Sequence, residues 1–275
     1  YLAGRTPIPC IACNQRFKFD HLLERAKAFG ADAVATGHYA RLEHDATTGQ
    51  ARLFRARHRE KDQGYFLFSL RQEQLRQAHF PVGEMSKDAV REMARSLGLV
   101  TADKPESQEI CFVPDGDYAK VVEAIRPAAA GLRGEIVDEG GRVLGHHRGI
   151  HRFTVGQRHG LGIASDRRLY VLRLEPEHQR VVVGDAGALD CRGARVERVH
   201  WIAGVAPDGP IRARVQVRHR HAAAPATVRA LDGGGAEIEF DEAVRAVAPG
   251  QAAVFYDEPN DDEVLGGGFL VTGLR

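Results

Sequence analysis

Two short segments of the chain place cysteines where a thiol can do chemistry. Cys111 lies in a short apolar run, 110–113, between polar and turn-forming residues. Cys10 and Cys13 lie in the segment 5–20, which continues with basic and amide side chains. A thiol at the edge of a segment can be reached by a substrate and act as a nucleophile, whereas a thiol in an apolar face acts as a small buried hydrophobe. The residues alone leave both interpretations open.

The composition excludes several classes of protein. With 275 residues, of which 43% are hydrophobic and 27% charged, the chain is typical of a globular protein of two or three domains. Its 38 Lys and Arg against 37 Asp and Glu leave a net charge of +1, so nucleic-acid binding requires local basic patches. Four cysteines do not make a disulfide scaffold and favour a reducing, cytoplasmic compartment. No apolar run is long enough to predict a membrane span.

The part of the chain before residue 115 has the pattern of an α/β domain. Asp20 and Ser86 are predicted to cap helices, and the residues at 40–57 are predicted to form an arginine-rich hairpin. A buried strand at 33–36 ends at Gly37, and ligands bind at such strand ends in α/β sheets. Two apolar helix faces are expected to be buried, one formed by Leu22, Leu23, Ala26 and Phe29 and the other by Val90, Met93, Ala94 and Leu97.

After residue 115 the pattern changes to short alternating runs separated by glycine. Hairpins are predicted at 134–145 and 169–184. Further candidate strands follow at 211–217, 226–230, 236–240, 252–256 and 264–269. Regular short strands with turn signals predict a small barrel. We therefore predict three domains: an α/β domain at 1–115, a small β-rich middle domain at 116–190 and a C-terminal β-barrel at 191–275.

The two cysteine segments resemble those of one known family, the tRNA-specific 2-thiouridylases. Residues 6–14 resemble the family's T-P-x-P-(D/C)-x-x-C-N segment, and residues 106–112 resemble its D-S-x-x-I-C-F segment, with Glu106 in place of the usual Asp. Segments 154–162, 217–221 and 249–256 are close to further motifs of the family. The resemblance covers essentially the whole chain.

The resemblance implies an enzyme that transfers persulfide sulfur to C2 of the wobble uridine of tRNA, giving 2-thiouridine. ATP with Mg²⁺ would adenylate the uridine O2, because oxide is a very poor leaving group. Cys111 matches the persulfide-bearing cysteine and Cys13 matches the nucleophile, and the two would form a transient disulfide. The implied partners are tRNAs of the Glu, Gln and Lys type and a sulfur donor, either a cysteine desulfurase or a sulfur relay.

The resemblance also implies binding residues. Ile8, Pro9 and Cys10 match the segment that meets the target base, and Gly37 matches a contact to ATP. The positions that match tRNA contacts are His38, Lys61, Asp62, Gln63, Arg218, His219 and Gln251. Arginine and histidine pair with phosphates, and glutamine can bond to a base edge. Three of them have a plain structural alternative, which is a strand-end turn for Gly37 and a solvent-facing side chain for His38 and Arg218.

Cys10 departs from the pattern, because many members of the family have an acidic residue there. The change removes a carboxylate suited to acid/base chemistry and creates a C-x-x-C motif with Cys13. Cys10, Cys13 and Cys111 are also an alternative ligand set for a 4Fe–4S cluster with one open iron, or for zinc. For Cys191 the resemblance implies no role, so a structural thiol is expected.

The family's N-terminal segment with the pyrophosphate loop, S-G-G-x-D-S, has no counterpart in the sequence. That loop cradles the ATP phosphates with backbone amides. The α/β domain is therefore expected to be the rear part of a pyrophosphate-loop domain of the adenine-nucleotide α-hydrolase type. The chain is either a fragment or a protein without its own ATP site, and it is expected to bind ATP poorly by itself. The alternative functions are a non-catalytic tRNA-binding protein and sulfur transfer through an iron–sulfur cluster on Cys10, Cys13 and Cys111.

Overall fold

The structure, a computed structural model, describes residues 1–104, 111–113, 116–258 and 260–275. In this part of the chain the α-helices are α1 Pro9–Ala12, α2 Leu22–Ala28, α3 Gln72–Arg76, α4 Lys87–Ser96 and α5 Tyr118–Ile125. The strands are β1 Val34–Ala35, β2 Ala40–His44, β3 Ala51–Arg55, β4 Ala78–His79, β5 Gly134–Val137, β6 Val143–His147, β7 Tyr170–Glu175, β8 Arg180–Gly184, β9 Asp190–Trp201, β10 Ile211–Gln216, β11 Ala224–Leu231, β12 Gly235–Arg245, β13 Ala252–Tyr256 and β14 Glu263–Leu274. No helix of the described residues is both long and apolar enough to cross a membrane.

The N-terminal region is α/β, as predicted. A π-helix, Cys13–His21, joins α1 to α2 without a break, so the chain is helical from Pro9 to Ala28. Strand β1 pairs in parallel with β4. The helical run buries Ile11, Phe19 and Leu23 in the largest hydrophobic cluster of the protein.

The C-terminal barrel is confirmed. Strands β13, β10, β11, β12, β9 and β14 follow one another in that order, and a pairing between β13 and β14 closes the ring. Closure leaves no free edge between these six strands. The barrel interior is filled by small and branched side chains such as Ala194, Ala213, Val215, Val228 and Ile238.

The hairpin β2–β3 joins the N-terminal region to the barrel. Its strands pair antiparallel on either side of the turn at Asp45–Gly49, and β3 also pairs with β14 through Leu53 and Val264. The N-terminal region and the barrel therefore share one continuous sheet. This pairing connects segments that are far apart in sequence, and it holds the residues before and after the hairpin against the barrel.

The middle region has its own small sheet, in the order β6-β5-β8-β7. Both predicted hairpins are present, and β5 pairs with β8 in parallel. Its core contains Ile136, Ile150, Phe153, Val171 and Val181. Glu123 of α5 contacts this region through His151 Nε2 at 3.0 Å.

Of the two predicted helix caps, one is wrong and the other is confirmed. Asp20 caps no helix, because the π-helix runs through it, and its carboxylate accepts hydrogen bonds from Arg71 and Gln74 at 2.7 Å. Ser86 does cap α4, since its Oγ accepts from the Ala89 N–H at 3.1 Å.

The predicted apolar helix faces exist but are largely exposed. Phe29 is 87% exposed and Leu97 68%, and α4 has no buried residue. Periodicity shows which side of a helix is apolar, but burial also requires an element that packs against it. No such element covers α4 within the described part of the chain.

Candidate active site

A cleft of about 1170 Å³ lies where the N-terminal region meets the barrel. It is lined by many of the predicted site residues, namely Ile8, Pro9, Cys10, Gly37, Lys61, Asp62, Gln63, His219 and Gln251. Pockets for small ligands usually have volumes of about 300 to 1,000 Å³. The cleft is therefore large enough for more than one nucleotide.

The segment that leads into the cleft is held by the barrel. The Thr6 N–H donates to Pro249 O at 2.8 Å, and Gln251 Nε2 donates to Thr6 O at 3.0 Å. Gly250 has φ +88°, and a Cβ on it would lie 2.9 Å from the Thr6 nitrogen. Only glycine fits so close an approach with this backbone. The motif at 249–251 thus fixes the chain just before Ile8.

Cys13 begins the π-helix, whose hydrogen bonds run from residue i to i+5, so residues five apart lie on one side. Asn14 and Phe19 are such a pair, and both are buried. Cys13 and Lys18 form the next pair, which places an ammonium group on the same side of the helix as the thiol. π-Helical turns occur frequently at functional sites.

His38 is buried behind the cleft rather than exposed in it, with only 6% of its surface accessible. Its Nδ1 lies 2.8 Å from Thr36 Oγ1, and its Nε2 lies 3.2 Å from Asn14 Oδ1 and 3.3 Å from Lys18 Nζ. In this position His38 joins strand β1 to the Cys13 helix. The structure places it as a support for the cysteine helix, and it does not line the cleft.

We expect His38 to stay neutral at pH 7, because burial and then the charge of Lys18 lower its pKa from 6.5 to about 4. The unfolded chain binds a proton near pH 6.5 and the folded chain does not. The free energy of unfolding therefore does not depend on His38 titration above pH 6.5, and it falls by about 3 kcal/mol as the pH is lowered to 4. An NMR titration of the ring should show no change between pH 8 and 5.5. In Lys18→Ala the pKa should rise, and a wild-type midpoint near 6.5 would contradict this placement.

The loop at 59–66 forms one wall of the cleft and is built around a buried carboxylate. Asp62 Oδ1 accepts from the N–H groups of Ala56 at 2.8 Å and Gly64 at 3.2 Å, while Oδ2 accepts from Arg55 Nε at 3.1 Å. Gln63 holds Tyr39 through two bonds, one from its backbone N–H and one to its Oε1. Asp62 and Gln63 therefore stabilise this wall of the cleft and also line it.

An aromatic cluster lines the cleft where the end of this loop meets His219 of the barrel. The ring centroid of His219 is 4.5 Å from that of Phe66 and 5.8 Å from that of Tyr65. Burial, followed by the charge of Arg220, lowers the pKa of His219, so its ring is mostly uncharged at neutral pH. Such a surface suits base stacking.

The cleft is locally basic despite the near-zero net charge of the chain. Five cationic side chains, Arg55, Arg59, Lys61, Lys87 and Arg220, line it against two carboxylates, those of Glu60 and Asp62. Arg218 is not among the lining residues. Its Nη2 donates to Val155 O at 3.3 Å and to Ala246 O at 3.4 Å, so it braces the middle region against the barrel.

One of the three thiols of the two cysteine segments lines the cleft. Cys10 lines it, Cys13 is partly buried and Cys111 is exposed, and all three are free. Burial raises the pKa of Cys10, as do the charges of Cys111 and Cys13, while Lys18 opposes them. Charges act on a thiol in this way only at short range, so the three sulfurs share one neighbourhood. The residues at 105–110 and 114–115 of the Cys111 segment lie outside the described residues.

The cluster alternative receives no support from the geometry. Among the described residues, which include all four cysteines, no group of three or more His, Cys, Asp or Glu side chains is arranged to hold a metal ion. Cys10, Cys13 and Cys111 are therefore not placed as ligands of a 4Fe–4S cluster or of zinc. Cys191 is 9% exposed in β9, which agrees with the predicted structural thiol.

The fit to ATP is partial. Gly37 follows β1, lines the cleft, and has no atom within 4 Å of a Cβ built on it, so a ligand can approach its backbone closely. Gly37 is the single glycine among the described lining residues, and one glycine does not form a phosphate-cradling loop. The described residues therefore do not form a complete ATP site.

Asn14 is a functional-site residue that the sequence analysis did not assign. Its Nδ2 donates to Phe66 O at 3.2 Å, and its Oδ1 meets His38, so it ties the Cys13 helix to the wall of the cleft. Thr154 of the middle region contacts the segment before Ile8, since its Oγ1 lies 3.2 Å from Thr6 Oγ1. The position of Asn14 directly after Cys13 was the available signal in the sequence. A polar side chain that is buried when the helix packs needs a hydrogen-bond partner, so Asn14 is expected to bond to a neighbouring element.

The comparisons with known proteins agree with this architecture. Residues 1–115 match a tRNA methyl transferase HUP domain, residues 120–185 a tRNA methyl transferase PRC-barrel domain, and residues 191–270 an aminomethyltransferase beta-barrel domain. The chain is 53% identical to the tRNA-specific 2-thiouridylase MnmA of Solibacter usitatus, over 98% of this chain and 74% of that protein. It is 50% identical to the protein of the same name from Acidobacterium capsulatum, again over 98% and 74%. The protein of that name from Geobacter metallireducens is 49% identical, over 98% and 72%. At this level of identity over nearly its whole length, the chain belongs to the tRNA-specific 2-thiouridylase family.

Proposed function

We propose that this protein is a tRNA 2-thiouridylase, a sulfurtransferase that converts the wobble uridine of tRNA to 2-thiouridine. One observation carries the proposal: a single basic cleft brings the segment 8–10, beside the thiols, together with the loop 61–63 and the barrel residues His219 and Gln251. The substrates would be tRNAs of the Glu, Gln and Lys type. We further propose a cytoplasmic location, and a cysteine desulfurase or sulfur relay as the donor.

The proposed chemistry uses the thiols in sequence. A donor loads sulfur on Cys111, which is exposed and so can be reached by another protein. The Cys13 thiolate then attacks the inner sulfur of the Cys111 persulfide, releasing the outer sulfur toward the target base and leaving a Cys13–Cys111 disulfide.

ATP with Mg²⁺ is the proposed cofactor, as expected for a member of this family, with Gly37 as a contact. The described residues form no phosphate loop, so the steps above involve the thiols alone. The chain spans 72 to 74% of the three relatives described above. We also propose the division into domains at 1–115, 116–190 and 191–275, with the hairpin β2–β3 extending from the first domain onto the third.

The experiment measures 2-thiouridine in tRNA by mass spectrometry, in a bacterial strain that lacks its own 2-thiouridylase and carries the complete gene for this protein. Appearance of 2-thiouridine at the wobble position is expected. The partial fit to ATP favours one alternative, a tRNA-binding protein without catalytic activity. Its signature is tRNA bound by the purified protein with no 2-thiouridine formed, and that result would overturn the proposal.

Binding of tRNA is expected to depend on Arg220, which is exposed, lines the cleft and has φ +66°. In Arg220→Ala the affinity for tRNA should fall several-fold. The slope of log K against log salt should become smaller by about 0.7 to 0.9, because one phosphate contact is lost. Filter binding at several salt concentrations measures both. Arg229→Ala is the matched control, since Arg229 is exposed on the barrel but lies outside this cleft, and its slope should equal that of the wild type.

A further inference from the structure

Cys10 and Cys13 are placed as a potential disulfide pair. Cys10 lies in α1, and the N–H of Cys13 bonds to the carbonyls of Cys10 and Pro9, so the two cysteines are one helical turn apart. Residues i and i+3 of a helix have Cα atoms about 5 Å apart, which is inside the range of about 4.4 to 6.8 Å that disulfides require. A C-x-x-C disulfide can therefore close here without moving another element.

Cys10 is also close to the chemistry. It lines the cleft, and burial together with the charges of Cys111 and Cys13 raises its pKa. A thiol with a raised pKa is protonated at neutral pH, so it does not compete for the persulfide, yet its thiolate is intrinsically a strong nucleophile. The described residues give Cys10 no metal-binding partners that would occupy it otherwise.

We propose that Cys10 is a resolving thiol, which releases Cys111 by forming a local disulfide with Cys13. This inference rests on the proposed function, which supplies the Cys13–Cys111 disulfide. The Cys10 thiolate attacks Cys13 Sγ, the Cys10–Cys13 bond forms, the Cys13–Cys111 bond breaks, and Cys111 leaves with the electron pair as a thiolate. The exchange involves no net oxidation. A dithiol reductant then returns Cys10 and Cys13 to thiols by supplying two electrons and two protons.

The pairing has a direct chemical signature. Trypsin releases residues 6–16 as one peptide that contains both Cys10 and Cys13, while Cys111 lies in the peptide 96–120. A Cys10–Cys13 disulfide makes the first peptide two hydrogens lighter, whereas a Cys13–Cys111 disulfide links the two peptides. Alkylation at low pH after turnover without reductant, followed by mass spectrometry, distinguishes the two products.

The test compares the wild type with Cys10→Ser and Cys10→Asp after turnover with tRNA, ATP and a persulfide donor. The wild type should accumulate the internal disulfide, and both variants the linked peptides. Two quantities are measured with limiting dithiol: the amount of 2-thiouridine formed in the first turnover and the steady-state rate that follows. The steady-state rate divided by the first-turnover amount should fall about tenfold in both variants. A lost base contact lowers rate and first-turnover product alike and leaves this ratio unchanged. An unchanged ratio, or linked peptides in the wild type, would overturn the proposal.

A second measurement separates this proposal from the proposed function. In Cys111→Ser, equilibration with glutathione redox buffers should still close the Cys10–Cys13 disulfide, because the pair is local. Absence of 2-thiouridine in every form, with the disulfide still closing, would refute the proposed function and with it the source of the Cys13–Cys111 disulfide. If 2-thiouridine forms but the pair does not close in any buffer, the resolving role alone fails.

Discussion

Cys111→Ser is expected to abolish formation of 2-thiouridine, with a loss of at least about a thousandfold, as is usual when a catalytic nucleophile is removed. Serine cannot carry a persulfide, and a hydroxyl does not undergo thiol exchange. Cys13→Ser should have a similar effect, because its thiol is required to cleave the persulfide. The measurement is the 2-thiouridine content of tRNA after reaction with a saturating sulfur donor.

Cys191→Ala is the matched control for these variants. Cys191 is buried in β9, and its Sγ lies 3.6 Å from Leu189 O, within the barrel and away from the cleft lining. Its replacement should leave activity intact. If Cys13→Ser retains activity while a Cys10/Cys13 double variant loses it, the nucleophile is Cys10, and the assignment of Cys13 is wrong. Activity in Cys111→Ser would exclude the persulfide route.

Asp62→Ala is expected to destabilise the protein by about 3 to 5 kcal/mol, the range found when one partner of a buried ion pair is removed. The side chains of Asp62 and Arg55 are 4% and 12% exposed. Without the carboxylate, two N–H groups lose their acceptor, and among the described residues Arg55 keeps only Asp261, at 2.8 Å, as an ion-pair partner. The guanidinium also lies 4.4 Å from the centroid of the buried Tyr256 ring. Urea unfolding measures the loss.

Two variants show whether Asp62 acts through charge or through hydrogen bonds. Asp62→Asn keeps an acceptor for Ala56 and Gly64, so its loss should be smaller, about 1 to 3 kcal/mol. Glu60→Ala changes an exposed residue of the same cleft lining and should alter stability by less than about 0.5 kcal/mol. If Asp62→Ala unfolds like the wild type but no longer binds tRNA, then Asp62 contacts the RNA directly, and its structural role is refuted.

The sequence predicted turns, caps and strands well where the interacting residues are close together in the chain. The turn at Asp45–Gly49 specified the hairpin β2–β3, because Asp45 Oδ1 accepts from the N–H groups of both Thr47 and Thr48. Ser86 capped α4 for the same reason. The alternating runs after residue 190 predicted strands that do form the barrel.

The sequence pattern did not predict how exposed a side chain is, or which partner it binds, where these depended on distant residues. Asp20 has the chemistry of an N-cap, but α1 and the π-helix continue the helix through it. His38 resembles a surface contact in sequence, yet its bonds to Thr36 and Asn14 bury it. Arg218 is in a basic run, but the carbonyls of Val155 and Ala246 bind it. In each case the competing partner lies on another element that the sequence pattern does not place.

The sequence by itself determined the chemistry this protein has to offer: three thiols in two segments, a family resemblance that names their reaction, and a barrel predicted from short regular strands. Only the tertiary structure decided which residues meet. The pairing of β3 with β14 and the hold of Gly250 and Gln251 on Thr6 bring the segment 8–10 into one cleft with the barrel. The physical reason is that residue types and local periodicity fix reactivity and secondary structure, whereas the walls of a site form from contacts between distant segments that pack cooperatively.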